Sequence, residues 1–268
     1  GCTDRLSDTV QNALMNIVTI FLSTSVGATM VASNFLKAET LKIIFLGLVA
    51  FGISTAGGLI GGNIMCKLSG KKVNVFGWGS TNPVYGGTGS GSMSDQYETV
   101  SMLDGMKQAG LKTNTELSKL YTDYRKDRPE VGMFAQDWTL PEVPAKQYSD
   151  KLVSDAKDFS DEAVVVLTRV GGEGAALPTD MKAKGITYKN NSKDYDDFQK
   201  GESFLQLSKT ERDMIDLVTS NFKKVTLVYN GANTFQFDFL NDYPQIQSVV
   251  WCPPAGQTGF SALGEVLA

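Results

Sequence analysis

The sequence predicts an α/β fold: a predominantly parallel sheet with helices on both faces, preceded by an N-terminal hydrophobic helical hairpin. Three observations carry this expectation. Two charge-free runs of helical length open the chain, Thr9 to Leu36 and Ile43 to Cys66. From Val73 onward, short apolar runs alternate with amphipathic stretches. Buried strands that read as continuous apolar runs, separated by helices, belong to parallel sheets covered on both sides. The expected boundary divides residues 1–72 from residues 73–268.

In the head, a hydrocarbon core needs about 20 apolar residues in a helix. Both charge-free runs are that long, at 28 and 24 residues. The second, IIFLGLVAFGISTAGGLIGGNIMC, is apolar or small almost throughout. Gly57 with Gly61, and Gly58 with Gly62, are pairs four residues apart that allow close helix approach in lipid. The first run is more polar, with Asn16, Thr19, Ser23, Thr24 and Ser25. The alternative, a cleaved leader followed by a buried helix, lacks a small-residue cleavage site between the runs. Residues 9–66 are therefore expected to be membrane-associated. The lysines after the second run and those between the runs argue for opposite orientations.

In the body, VNVFG (73–77) reads as a buried strand, followed by a Gly/Ser-rich loop at 79–92. Residues 97–110 predict a helix with Val100, Leu103 and Met106 on one face and Gly110 as its stop. Further helices are expected over about 114–126 and 147–158, with loop between. AVVVLTR (163–169) is a second strand, GGEGAALP (171–178) a loop, and 182–203 irregular. Ser208 and Glu211 form a capping box that opens a helix to about Phe222. KVTLVYN (224–230) and IQSVVWC (246–252) are strands, with a short helix near 234–240 between them. The tail GQTGFSALGEVLA begins a last helix.

The composition narrows the chemistry. The chain has 268 residues, a net charge of −4 and no histidine. Histidine-based triads and His-ligated zinc or haem are thereby excluded. The cysteines Cys2, Cys66 and Cys252 lie far apart and form no CxxC. No metal or cofactor is expected. Residues 1–75 are net +3 and the remainder −7. That acidic body, without a basic aromatic patch, argues against nucleic acid.

In parallel sheets, ligands sit beyond the carboxyl ends of strands, so the loops at 78–93, 170–178 and 230–234 are the places to look. Gly86-Gly-Thr-Gly-Ser-Gly91 lacks the dinucleotide spacing and the Lys-Ser/Thr of a phosphate loop. It reads as a turn, or as a backbone-rich loop for sugar hydroxyls. In Arg169-Val-Gly-Gly-Glu173-Gly174, one carboxylate stands between glycines at a strand end. Partial desolvation there would raise its pKa and suit a general acid; the other reading is an exposed loop residue without a role. Asp137-Trp138 and the acidic group Asp194, Asp196 and Asp197 read as surface structure. Asn230-Gly-Ala-Asn233 reads as a turn.

Two family resemblances overlay this reading. RLSDTVQNALMNIVTIFLSTSVGATM and LGLVAFGISTAGGLIGGNIMCKLSGKKVN, about residues 5–74, resemble the β subunit of sodium-pumping biotin-dependent decarboxylases. That family's sodium site uses an Asn-Pro-Leu-Ile-Gly stretch. Here Asn74 is followed by Val75-Phe76-Gly77-Trp78, so a complete sodium site is not expected. KKVNVFGWGSTNPVYGGTGSGSMSDQYETVSMLDGMKQAG, RPEVGMFAQDWTLPE, LTRVGGEGAALPTDM, QLSKTERDMIDLVTSNFKKVTLVYNGAN and PAGQTGFSALGEVLA, about 71–268, resemble the α/β-sandwich domain of glycoside hydrolase family 3 β-glucosidases. This second resemblance implies a retaining glycosidase acting on β-glucosides, with one carboxyl group from each of two domains. It implies Glu173 as acid/base, with Arg169, Gly172, Gly87, Thr88 and Ser90 shaping the sugar site. Where the family often has an acid after GGEGA, this chain has Ala176. The nucleophile belongs to a barrel domain that the sequence does not contain, so turnover by the chain alone is not expected. The two resemblances meet near Lys71–Asn74 and imply a chimera.

Overall fold

A computed structural model describes residues 15–29, 42, 45–47, 49–50, 52–53, 70–87, 89–93, 96–126, 137–173 and 177–268. The chain divides into two compact units, residues 1–62 and 63–268. In the first, helix α1 covers Met15–Thr29 and exposes Ile17, Ile20, Phe21 and Leu22. Among the described residues no helix is long and apolar enough to cross a membrane. Most of the expected hairpin, including the paired glycines at 57–62, lies outside the described residues.

The second unit is built on five parallel strands. In chain order these are β1 (Lys72–Phe76), β2 (Lys112–Thr113), β3 (Glu162–Thr168), β4 (Lys224–Asn230) and β5 (Ile246–Cys252). Their spatial order is β2-β1-β3-β4-β5. The helices are α2 (Met102–Gln108), α3 (Thr115–Arg125), α4 (Asp150–Phe159), α5 (Lys209–Asn221) and α6 (Gly259–Leu267). The parallel α/β architecture agrees with the sequence expectation.

Alternation along the strands separates two cores. Phe76, Val165, Leu167, Leu227 and Tyr229 join Leu117 and Tyr121 of α3, Ala156 of α4, and Met214, Ile215 and Val218 of α5. Val73, Val75, Val164, Val166 and Val228 join Met102 and Met106 of α2, and Phe260 and Leu263 of α6. The α2–α6 approach depends on two glycines. A Cβ on Gly264 would lie 2.1 Å from the Gly105 carbonyl oxygen, and one on Gly105 would lie 2.1 Å from that of Phe260.

Caps define the helix ends. The Ser101 hydroxyl accepts from the Asp104 amide, so α2 starts five residues later than the sequence periodicity predicts, and Val100 precedes it. Asn114 and Ser149 cap α3 and α4. Ser208 and Glu211 make the expected reciprocal box at α5. Near 234–240, the structure has a 3₁₀ turn at Asp238–Asp242. Five aromatic rings, Tyr229, Phe235, Phe237, Phe239 and Tyr243, pack in succession through this crossover.

Three polar readings change. Trp138 is buried and packs edge-on against Phe204, 5.0 Å between centroids, rather than lying at the surface. Asp197 is buried because the Asn191 amide and the Thr210 hydroxyl both donate to it; Asp194 and Asp196 remain exposed ion-pair partners. Asn74, in the middle of β1, is fully buried. Its Nδ2 donates to the Ala156 and Ser160 carbonyls at 2.8 and 3.0 Å. Its Oδ1 accepts from Asn114 at 3.0 Å. It thereby joins the end of α4 and the start of α3 to the sheet.

Candidate functional site at the carboxyl edge of the sheet

The three loops singled out in the sequence meet at the carboxyl edge. Gly77 ends β1 with φ +96°, and a Cβ there would lie 2.2 Å from the Val166 carbonyl oxygen. The chain thus turns tightly across β3 into the buried 3₁₀ turn Trp78–Ser80. Asn230, at the end of β4, clamps this loop. Its Oδ1 accepts from the Val84 amide at 2.6 Å, and its Nδ2 donates to the Cys252 carbonyl at 3.1 Å. The loop after β1 and the ends of β4 and β5 are therefore joined through one buried amide.

Past β3, Arg169 is fully buried. Its Nε donates to the Phe204 carbonyl at 2.6 Å. Nη1 donates to the Thr168 carbonyl and to Glu211, and Nη2 to the Gln206 carbonyl and to Glu211. All five guanidinium donors are used, and the group also lies 5.0 Å and 5.3 Å from the centroids of Phe235 and Phe204. The expectation that Arg169 contacts a sugar is corrected here. Its donors hold the core, and it braces the strand end from which the next loop departs.

That loop carries Gly171, Gly172 and Glu173. A Cβ on Gly171 would lie 2.0 Å from Nδ2 of Asn233, so the Asn233 side chain occupies the space a larger residue at 171 would need. Gly87 faces the Gly171 carbonyl oxygen and the Gly172 Cα at 3.7 and 3.9 Å from the site of its missing Cβ. Its own amide donates to the Gly91 carbonyl at 2.9 Å. The structure therefore brings Gly87, Ser90, Gly172 and Glu173 together. Thr88 lies outside the described residues, as do Ala175 and Ala176.

Glu173 is exposed. Its Oε2 accepts from the Ser90 amide at 2.9 Å and the Ser90 hydroxyl at 2.7 Å. These two donors hold the carboxyl below the ordinary glutamate pKa, against a small desolvation. The expectation of a desolvated, raised carboxyl is thus reversed in the resting chain, because the loop is open to water and supplies donors.

A carboxyl of the expected kind does occur elsewhere. Glu142 is fully buried, and burial pushes its pKa up to about 8, although the Val143 and Trp78 amides both donate to it. Sequence reading passed over it as part of a Pro-containing loop. The only local signal is an acidic residue flanked by Leu-Pro and Val-Pro. It lies beneath the loop after β1 and supports the Trp78 turn. Among the described residues no group of three or more possible metal ligands occurs.

Comparison with known proteins gives two matches. The family model for the Na+-transporting oxaloacetate decarboxylase beta subunit matches residues 1–93, and that for the glycosyl hydrolase family 3 C-terminal domain matches residues 66–268. The chain is 55% identical over 89 residues to the glutaconyl-CoA decarboxylase subunit beta of Acidaminococcus fermentans, covering 33% of this chain and 22% of that protein. The decarboxylase-like part thus extends beyond Asn74, into the segment matched by both models. The structure is similar to a β-glucosidase from Paenibacillus barengoltzii (TM-score 0.56, 25% identity), covering 74% of this chain and 20% of that one. It is similar also to β-glucosidase 3B from Thermotoga neapolitana in complex with glucose (TM-score 0.54, 26% identity), covering 74% and 25%. The chain therefore spans about a quarter or less of the length of each of these relatives. It is a chimera of two resemblances.

Proposed function

Because the chain belongs, over residues 66–268, to the glycosyl hydrolase family 3 C-terminal domain family, we propose that it is the acid/base-bearing part of a β-glucosidase-type retaining glycosidase. The observation that carries this reading is the position of Glu173, on a glycine-rich loop at the carboxyl edge of a parallel sheet, touching the Gly/Ser loop after β1.

In such chemistry, one carboxyl group protonates the departing glycosidic oxygen and then activates water, while a second attacks the anomeric carbon. Glu173 takes the first role. Gly87, Ser90 and Gly172 line the sugar side of the loop. The second carboxyl comes from a barrel domain outside this sequence, and the partner of the assembled site is a terminal β-glucoside.

The test is domain replacement. Residues 70–268 are substituted for the matching domain of the Thermotoga neapolitana enzyme, and hydrolysis of aryl β-glucosides is compared with a Glu173→Gln version. Loss of an acid slows poor leaving groups far more than good ones, by about 10²–10⁴ for a positioned proton donor. Equal loss across leaving groups, or none, refutes the role.

The N-terminal resemblance favours a second, separate reading. We take residues 9–66 as a membrane-associated fragment of the decarboxylase type, supported by the 55% identity and by the exposed apolar side chains of α1. Sodium binding is not part of this reading, since Asn74 is committed to backbone carbonyls and to Asn114. Detergent partition of the full chain, compared with a version lacking residues 9–66, tests it. Equal partition refutes it.

A further inference from the structure

The loops that meet around Glu173 contain one charge. Residues 79–93 and 230–234 hold none, and within 170–178 only Glu173 ionises. Arg169, the nearest charge along its own segment, is turned into the core onto Glu211. Two donors on the Glu173 carboxylate belong to one residue 83 positions away.

We propose that Ser90 is a positioning residue for Glu173: its amide and hydroxyl clamp the carboxylate on the loop after β1. This assignment deepens the acid/base reading of Glu173 and rests on it. Ser90 is delivered by the closed turn from Gly87 to Gly91, and that turn is packed against Gly171 and Gly172. The clamp is thus supported by backbone on both sides, not by a chance meeting of two side chains.

The two donors differ in kind. A backbone N–H only donates, so it favours the charged form alone. A hydroxyl donates to a carboxylate and accepts from a carboxylic acid, so it accommodates either form. A general acid must carry its proton when the substrate arrives. In the clamped geometry Glu173 holds the deprotonated state, suited to the later water-activating step. The acid state carries its proton on Oε1, which leaves Oε2 to accept from Ser90 more weakly than the carboxylate does. Ser90 thus sets which half of the cycle the resting site resembles.

The experiment is carbon-13 titration of the Glu173 carboxyl in the full chain, assigned by its absence in Glu173→Gln. Ser90→Ala removes one donor, and Ser90→Thr keeps it. The expected result is a midpoint below that of an ordinary glutamate in the unaltered chain, moved to higher pH in Ser90→Ala and returned by Ser90→Thr, with circular dichroism unchanged in all three. An unmoved midpoint in Ser90→Ala overturns the proposal, as does a shift that Ser90→Thr does not reverse. The titration reads the carboxyl and not turnover. Failure of the acid/base reading appears instead in the domain-replacement kinetics, with the titration intact.

Discussion

Removing the Glu211 side chain tests whether the buried brace at Arg169 holds the loop that carries Glu173. In Glu211→Ala, the guanidinium loses two charge-assisted bonds of 2.6 Å. It keeps the carbonyls of Thr168, Phe204 and Gln206 but no counter-charge. Breaking a fully buried pair by removing one partner costs about 3–5 kcal/mol. Glu211 is also the third helical residue of the capping box, accepting from the Ser208 amide at 2.9 Å, and a lost cap adds about 1 kcal/mol. The sum is about 4–6 kcal/mol, a large share of the 5–15 kcal/mol typical of a domain. With a urea slope of about 2–3 kcal/mol per molar, the midpoint falls by about 2 M, followed by tryptophan fluorescence. The pair itself contributes much less than this cost, because both charges were taken out of water. Arg169→Met with Glu211→Leu therefore recovers most of the loss. A single variant within 1 kcal/mol of the parent, or a double variant worse than the single, refutes the reasoning.

Other expectations follow from the same structure. The folded-state pKa of Glu142 is raised from 4.5 to about 8, so the folded chain binds this proton more tightly; the contribution of Glu142 to stability is fully present below pH 4.5 and is lost toward pH 8 by up to about 1.4 kcal/mol per unit. Glu142→Gln flattens that slope in unfolding measured from pH 5 to 8. Gly264→Ala drives a Cβ into the Gly105 carbonyl and separates α2 from α6, lowering stability by about 2–3 kcal/mol in thermal melts. Asn74→Ala leaves the carbonyls of Ala156 and Ser160 and the Asn114 amide short of a partner, at a cost of about 2–3 kcal/mol. The parent's melting temperature is the same in sodium and in potassium chloride; a sodium-specific rise would restore the cation role to Asn74.

The parallel sheet was legible because β1, β3 and β4 are buried on both faces along most of their length. Residues 73–76 and 163–167 are unbroken apolar runs except for Asn74, and only burial on two sides requires that. The short β2 escaped because two residues, Lys112 and Thr113, carry no periodicity of their own. The junction of the three loops was also legible, since topology places loops after parallel strands on one edge. The roles within it were not. Arg169 and Glu173 stand four residues apart on one glycine-rich segment, yet one faces the core and the other water. What separates them is Glu211, 42 positions from Arg169, and spacing along the chain contains nothing of it. Glu142 was missed for the same reason: a carboxyl's surroundings are assembled from distant segments.

All five strands run in one direction, and this sorts the loops of the domain onto two edges. The polypeptide enters at Lys72 and leaves β1 at Phe76, about 13 Å further along at about 3.3 Å per residue. Every loop around Glu173 lies at the exit side of the sheet. Both family models match residues 66–93, so the shared segment holds β1 and the Ser90 turn, while Glu173 lies in the part matched by the hydrolase family alone. The Ser90–Glu173 contact therefore ties the doubly matched segment to the rest of the domain.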